Sequence, residues 1–146
     1  MIVRYCAGGV VFYANKVLLV KNDRGEWTLS KGKIHQDELK HSSAVSRVKD
    51  ETGVEASILE TAGNTMYQFF SRSRQQEVCN AITWYIMQTD SNNYVLKDEF
   101  TDGGFYKVKE AINMLTHSQE KSLVDISYKK YKELRKNNIE DGLATN

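Results

Sequence analysis

The segment from Val78 to Met87 constrains the fold of this chain most, because apolar residues occur on both alternating sets of positions along it. One set is Val78, Asn80, Ile82, Trp84 and Ile86, and the other is Cys79, Ala81, Thr83, Tyr85 and Met87. Successive side chains of a strand point to opposite faces of the sheet, so a strand of this kind needs cover on both faces. The segment therefore predicts a central, well-covered strand.

Other short runs predict the rest of the sheet. Val3–Phe12 and Lys16–Lys21 are rich in apolar and β-branched residues, and the turn-like residues between them indicate a hairpin. Met66–Phe70 predicts a strand that is joined to the central one through the polar tip Ser71–Gln76. Phe105–Val108 predicts a last strand.

Three helices complete the predicted order. After a short basic loop at Ser30–Lys33, we expect a helix with Asp37 as its N-cap and Gly53 as its C-terminal stop. A short helix over 109–115 and a closing amphipathic helix from Ser118 to about residue 137 follow. The order of strands, helix, strands and helices predicts an α+β fold, a mixed sheet flanked by helices.

Length and composition limit the kind of protein that this chain can be. It has 146 residues with a net charge of +1, and 40% of them are hydrophobic and 27% charged, which is typical of one globular domain. We expect a single domain over residues 1–140 and a flexible tail at 141–146. The nearly balanced charge argues against general nucleic-acid binding through counterion release.

The cysteines and the first residues indicate where such a protein would work. Cys6 and Cys79 both lie in apolar stretches, which predicts small buried side chains rather than a disulfide framework. The chain starts almost directly with a strand-like run, and no apolar run approaches the length of a membrane span. We therefore expect a cytoplasmic protein without a membrane partner.

Charged residues are crowded on the first predicted helix. Residues three and four positions apart share a helix face, so Arg47, Asp50 and Glu51 lie together, and Glu38 precedes them by a few turns. Carboxylates are the hard oxygen ligands that magnesium or manganese prefers, and phosphate oxygens could complete the coordination. The alternative is a solvated helix face on which Arg47 and Glu51 form an ordinary ion pair.

The stretch Gly32–Glu38 together with Ser46–Val54 resembles the Nudix box. The family pattern has Gly, five residues, Glu, seven residues, and then Arg-Glu-aliphatic-any-Glu-Glu-any-Gly-aliphatic, and the spacing here fits without a gap. The positions that match by identity or class are Gly32, Glu38, Val48, Glu51, Gly53 and Val54. The resemblance implies a Nudix-like α/β/α sandwich and metal-dependent hydrolysis of a pyrophosphate bond in a nucleoside-diphosphate-linked substrate.

The residues before the box refine this expectation. The segment Trp27–Lys33 resembles the Trp-x-Leu-Pro-Lys-Gly-Lys entry of family members that act on diadenosine polyphosphates or diphosphoinositols, with Ser30 in place of the proline. Lysine is a compact cation and glycine lets the backbone approach a ligand closely. We therefore expect Lys31, Gly32 and Lys33 to bind substrate phosphate, although a solvated basic turn is the alternative.

The sequence departs from the family pattern inside the box. Ser46 stands where the family has arginine, Arg47 where it has glutamate, and Asp50 where it has the first glutamate of the closing pair. Arginine is not deprotonated in proteins, so Arg47 cannot act as the general base, and its charge competes with a divalent ion. Some relatives take their base from a later loop, which makes Glu99 the candidate here.

The sequence thus gives one set of site residues and two hypotheses. In the first hypothesis, Mg²⁺ or Mn²⁺ is held by Glu51, Asp50 and Glu38, while the catalytic residues are Glu51, Asp50 and Glu99. Asp102 and Glu77 are weaker candidates for the base. In the second, the chain is a regulatory module that binds a nucleotide without hydrolysing it, with Arg47 replacing part of the metal's charge and contacting phosphate.

Overall fold

The computed structural model describes residues 1–144, with side-chain surroundings as far as residue 137. It contains seven strands and three helices in the order expected for a mixed sheet with helices on both faces. They are β1 (Ile2–Tyr13), β2 (Lys16–Lys21), β3 (Trp27–Thr28), β4 (Ser30–Lys33), α1 (Lys40–Thr52), β5 (Ser57–Ser71), β6 (Gln76–Gln88), β7 (Asp102–Lys107), α2 (Val108–Met114) and α3 (Ser118–Ala144).

The sheet is organised around β1 and β6, which run parallel to each other over eleven paired residues, from Ile2 opposite Val78 to Phe12 opposite Gln88. The strand order is β3-β2-β1-β6-β5, with β4 paired to β1 and β7 paired to β2. The predicted hairpin of β1 and β2 is confirmed, as is the central position of β6 between β1 and β5. The antiparallel neighbours make the sheet mixed.

The alternation along β6 separates two hydrophobic cores on the two faces of the sheet. Trp84 and Ile86 pack with Phe12, Leu123 and other residues on the α2 and α3 side. On the other side, Tyr85 and Met87 pack with Ala44 and Val48 of α1. Each large apolar side chain that is fully buried contributes about 1.5–3 kcal/mol. The two cores confirm the predicted α/β/α arrangement.

Two local expectations were wrong. The basic segment Ser30–Lys33 is not a loop but strand β4, which pairs antiparallel with residues 6–9 of β1. Asp37 is not the N-cap of the first helix, because its φ of +67° places it in a left-handed turn and α1 begins only at Lys40. Gly53 ends this helix as predicted, with a φ of +70° that favours glycine.

The closing helix is longer than expected and is described as far as Ala144. Of the expected tail at 141–146, residues 145 and 146 lie outside the described residues. Within the part of the chain that the structure describes, no helix has the length and apolar character needed to cross a membrane.

Candidate active site

The loop between β6 and β7 caps the C-terminal end of α1 and brings distant residues to it. The backbone N–H of Val95 donates to the carbonyl of Thr52 at 2.8 Å, and that of Lys97 donates to the carbonyl of Glu51 at 2.9 Å. The last carbonyls of a helix lack partners within it, so this loop satisfies them. A Cβ at Gly53 would lie only 3.0 Å from the nitrogen of Val95, so the loop approaches so closely because this residue is glycine.

The docked loop places the Glu99 carboxyl beside that of Glu51. The Glu51 side chain is only 13% exposed, and the nearest cation is Lys97, whose Nζ lies 3.9 Å from Oε1. With both carboxylates ionised, Oε2 of Glu51 is buried and has no hydrogen-bond donor among the described residues. Burial raises the pKa of Glu51 to about 7, and the adjacent Glu99 carboxyl adds to this rise while Lys97 and Lys31 oppose it.

Arg47 pairs with Asp50 of α1 and with Glu38, which precedes this helix. Its Nη2 lies 3.1 Å from Oδ2 of Asp50, and its Nη1 lies 3.3 Å from Oε1 of Glu38. The same Nη1 donates to the carbonyl of Lys33 at 3.3 Å and to Nε2 of His35 at 2.9 Å. The guanidinium therefore links the end of β4, at Lys33, to Asp50 of α1.

Glu38 is stabilised as a carboxylate by more than this ion pair. Its Oε1 accepts hydrogen bonds from the backbone N–H of His35 at 2.8 Å and from the hydroxyl of Ser43 at 2.9 Å. These bonds lower the pKa of Glu38, first through His35 and then through Ser43, and Arg47 adds a smaller effect. Through these bonds Glu38 links the turn at His35 to Ser43 in the first turn of α1, while no side-chain hydrogen bond in the described part of the chain caps the start of this helix.

Gly32 is needed because of Arg47. A Cβ at this glycine would lie 2.8 Å from Cδ and 2.9 Å from Cγ of Arg47, so the arginine stem packs directly against β4. The Arg47 side chain is 10% exposed, and its Nε is buried without a hydrogen-bond partner among the described residues. Arginine at this position is therefore a packed part of the structure.

Two neighbouring cavities meet at Lys31. The smaller one has a volume of about 230 Å³ and is lined by Glu51, Glu99 and Phe100, among others. The larger one has a volume of about 630 Å³ and lies between β5, β6 and the start of α3. Asn22, Thr28 and Lys31 line both cavities. Lys31 is thus the cation that faces the paired carboxylates from one side and the larger cavity from the other.

The larger cavity has an aromatic wall and an unpaired polar atom in its lining. The ring of Tyr67 lies 5.8 Å from that of Phe69 and 5.3 Å from that of His117. Asn80 also lines this cavity, and its Oδ1 is buried without a partner among the described residues. Glu120 on α3 accepts a hydrogen bond from the backbone N–H of Leu29 at 2.7 Å, and burial raises its pKa. Sequence reasoning had singled out neither Asn80 nor Glu120.

The structure divides the predicted site residues into two groups. It brings Glu51, Glu99 and Lys31 together around the smaller cavity. It places Asp50 and Glu38 around Arg47 instead, and Arg47 lines neither cavity. The Lys33 side chain is exposed and also lines neither cavity.

The weaker base candidates lie elsewhere. Asp102 begins β7, and its Oδ1 accepts a hydrogen bond from the backbone N–H of Gly103 at 2.7 Å. Glu77 lies at the start of β6, opposite Phe70 and beside the hairpin tip. Neither residue lines the cavity that holds Glu51 and Glu99.

A divalent ion suits the Glu51 and Glu99 pair. Among the described residues, no group of three or more His, Cys, Asp or Glu side chains is arranged to hold a metal. Mg²⁺, however, keeps several waters and is bound through one or two carboxylates together with substrate phosphates. The buried Oε2 of Glu51, which has no donor, and the carboxyl of Glu99 beside it are suitable ligands of this kind.

The fold and the paired acids can now be set beside a known protein family. The NUDIX domain model matches residues 4–126, and the chain therefore belongs to this family. The predicted membership is confirmed, and with it the assignment of the chain to a family of hydrolases.

Solved structures support the same fold. An Ap4A hydrolase of C. elegans superposes with a TM-score of 0.71 at 16% identity, covering 89% of this chain and 98% of that one. The E. coli dihydroneopterin triphosphate pyrophosphohydrolase gives a TM-score of 0.69 at 12% identity, covering 86% and 96%. A NUDIX hydrolase from Nitrosomonas europaea gives 0.67 at 17% identity, covering 85% and 69%. The predicted Nudix-like sandwich is thus confirmed.

Proposed function

We propose that this chain hydrolyses a pyrophosphate bond in a nucleoside-diphosphate-linked substrate, with Mg²⁺ or Mn²⁺ as cofactor. The observation that carries the proposal is the pair of carboxyls from Glu51 and Glu99, which face Lys31 across one small cavity. The named activities of the Ap4A hydrolase and the dihydroneopterin triphosphate pyrophosphohydrolase support this class of substrate. A dinucleoside polyphosphate is one member of the class.

Glu51, Glu99 and Lys31 each have a separate role in the proposed reaction. A divalent ion held by Glu51 and Glu99 would supply positive charge to the phosphate oxygens. Lys31 binds the same phosphate chain from the opposite wall and stabilises negative charge as the bridging P–O bond breaks. Glu99, which is an exposed residue, accepts the proton of the attacking water. One phosphate product keeps the former bridging oxygen, and the other gains the oxygen of water.

The larger cavity accommodates the nucleoside end of the substrate. Its volume of about 630 Å³ lies in the range of ligand pockets, and it opens from the same Lys31 that faces the carboxylates. Tyr67 is 41% exposed on its wall and offers a ring face for stacking. Asn80 offers a buried amide oxygen to a hydrogen-bond donor of the ligand. A nucleoside placed here directs its phosphates toward Glu51.

The alternative function is a module that binds a nucleotide without hydrolysing it. It is favoured by the position of Arg47, whose ion pairs with Glu38 and Asp50 leave these two acids compensated without any metal. Binding that does not depend on a divalent ion would distinguish this function from hydrolysis.

The test is an assay of product release from a panel of dinucleoside polyphosphates, nucleotide sugars and NADH with Mg²⁺ or Mn²⁺. We expect turnover by the wild type, and we expect Glu51→Gln and Glu99→Gln each to lower kcat by about a hundred- to ten-thousand-fold. Glu110→Gln is the matched control, because Glu110 is an exposed carboxylate on α2 away from both cavities. Its rate should equal that of the wild type.

Two outcomes would contradict the proposal. A wild-type rate that is unchanged in Glu51→Gln would place the site elsewhere. If the wild type is inert with every substrate but binds nucleotides without a divalent ion, and Arg47→Glu becomes active, the chain is the binding module instead.

A further inference from the structure

We infer that Arg47 is a built-in counter-ion that occupies the cation position between Glu38 and Asp50, so that the chain binds a single divalent ion, at Glu51 and Glu99. This inference rests on the proposed function, since it concerns the same site. It differs from the sequence-based hypothesis, in which Glu38, Asp50 and Glu51 share the metal.

The first step is that the Arg47 guanidinium is fixed where a bridging cation would lie. Two of its nitrogens lie 3.3 Å and 3.1 Å from carboxylate oxygens of Glu38 and Asp50. The carbonyl of Lys33 and the ring of His35 hold the same end of the side chain. With only 10% of the side chain exposed and its stem packed against Gly32, the guanidinium cannot swing out into solvent.

The second step is that Glu38 and Asp50 are not free to bind a metal. A divalent ion ligated by them would lie within a few ångströms of a permanent positive charge, and the two cations would repel each other. Glu38 also accepts hydrogen bonds from the backbone N–H of His35 and from the hydroxyl of Ser43. Binding an ion here would break the ion pairs and hydrogen bonds that order the start of α1.

The third step is that the negative charge of Glu51 is balanced less closely than that of Glu38 and Asp50. The nearest cation to the Glu51 carboxyl is Lys97 at 3.9 Å, and its Nζ is on an exposed side chain. Oε2 of Glu51 is buried without a donor among the described residues. Of the three acids that the sequence assigned to the metal, Glu51 has the most distant ion-pair partner, at 3.9 Å against 3.3 Å for Glu38 and 3.1 Å for Asp50.

Mn²⁺ binding to the purified chain without substrate tests the inference, with free Mn²⁺ followed by electron paramagnetic resonance. We expect one ion per wild-type chain. Glu51→Gln and Glu99→Gln should each raise the Kd at least about tenfold, whereas Glu38→Gln and Asp50→Asn should leave it unchanged within about twofold. The readout is a binding stoichiometry, so it does not depend on hydrolysis.

Arg47→Met probes the counter-ion directly, because it removes the charge and keeps most of the apolar stem. A folded Arg47→Met chain should bind a second Mn²⁺, and this second ion should be lost again when Asp50→Asn is added. Should Arg47→Met fail to fold, the comparison of Asp50→Asn with Glu51→Gln still decides the matter.

The inference is overturned if the wild type binds two ions, if it binds none at millimolar Mn²⁺, or if Asp50→Asn weakens binding as much as Glu51→Gln does. Failure of the proposed function gives a different result, namely a single ion bound with the expected variant pattern but no hydrolysis of any substrate in the panel.

Discussion

Two groups of acids meet at helix α1, and they differ in how their charge is balanced. Glu38 and Asp50 share the guanidinium of Arg47 at 3.3 Å and 3.1 Å. Glu51 faces another carboxyl, and its charge is opposed by Lys97, at 3.9 Å, and by Lys31. The difference appears in the pKa of the two glutamates, which is lowered for Glu38 and raised to about 7 for Glu51.

These acids therefore do not form one site, although the Nudix-box pattern places most of them close together in sequence. A carboxylate with an ion pair and hydrogen bonds is already stabilised and serves the structure. A buried carboxylate without a donor is unfavourable until a proton or a cation arrives, and such groups are typical of functional sites. Three experiments test this difference between the two groups of acids.

The largest effect on stability is expected for Arg47→Met. The substitution removes the ion pairs with Glu38 and Asp50 and the hydrogen bonds to Lys33 and His35, and one hydrogen bond to a charged group typically contributes about 1.5–3 kcal/mol. Because the Asp50 side chain is 54% exposed, water compensates part of this loss, and we expect about 3 kcal/mol in all. Urea unfolding at pH 7 measures it as a lower midpoint.

The matched control for this experiment is Lys129→Met on α3. Lys129 lies 3.4 Å from Asp125, but both side chains are largely exposed, so we expect a change within about 0.5 kcal/mol. If Arg47→Met and Lys129→Met unfold at the same urea concentration as the wild type, the Arg47 ion pairs do not stabilise the fold, and the contrast between the two groups is lost.

Much of the fold could be predicted from the sequence because its strongest signals are local. The two-sided pattern of β6, the hairpin of β1 and β2, and the stop at Gly53 all depend on residues close together in the chain. Strand β4 was missed because Ser30–Lys33 has no apolar alternation and becomes a strand only through its pairing with β1. Asp37 was misread as a cap because a left-handed turn at an aspartate leaves no distinct pattern.

The candidate site was less predictable because it depends on contacts across the chain. The Nudix-box pattern pointed to Glu51, but it could not show that Arg47 is buried against Gly32 or that it takes up Glu38 and Asp50. Glu99 was proposed as a base from a resemblance, while its place beside Glu51 depends on backbone hydrogen bonds of a loop without regular structure. The larger cavity is lined by residues of strands and of a helix that lie far apart in sequence.

An intermediate effect is expected for Glu51→Gln without divalent ions. A carboxyl whose pKa is raised in the folded state stabilises the fold fully only below its ordinary value of 4.5, and this stability is lost as the pH rises toward about 7. The glutamine variant does not ionise, so at pH 8 it should be more stable than the wild type. A rise of the pKa from 4.5 to about 7 corresponds to about 3.4 kcal/mol at about 1.4 kcal/mol per unit, and solvent around the exposed Glu99 screens part of it, so we expect about 2 kcal/mol. At pH 4 the two should unfold together.

Thermal unfolding in EDTA at several pH values measures this difference. Glu110→Gln provides the control, because Glu110 is exposed and its substitution should leave no pH-dependent gain. If the stability difference between Glu51→Gln and the wild type is the same at pH 4 and pH 8, the Glu51 charge is not weakly balanced as we infer.

The smallest effect is expected for Lys97→Met, and it measures how weakly Glu51 is balanced. At 3.9 Å, and with the lysine side chain 54% exposed, this ion pair contributes less than about 0.5 kcal/mol. Its loss should therefore raise the pKa of Glu51 by only a few tenths of a unit above about 7. Carbon-13 NMR of the Glu51 carboxyl follows the titration, with Lys129→Met as a variant that should leave it unmoved. A rise of more than one unit would show that Lys97 balances the charge of Glu51 as Arg47 balances that of Glu38. The two groups of acids would then differ in their distance from solvent rather than in how their charge is balanced.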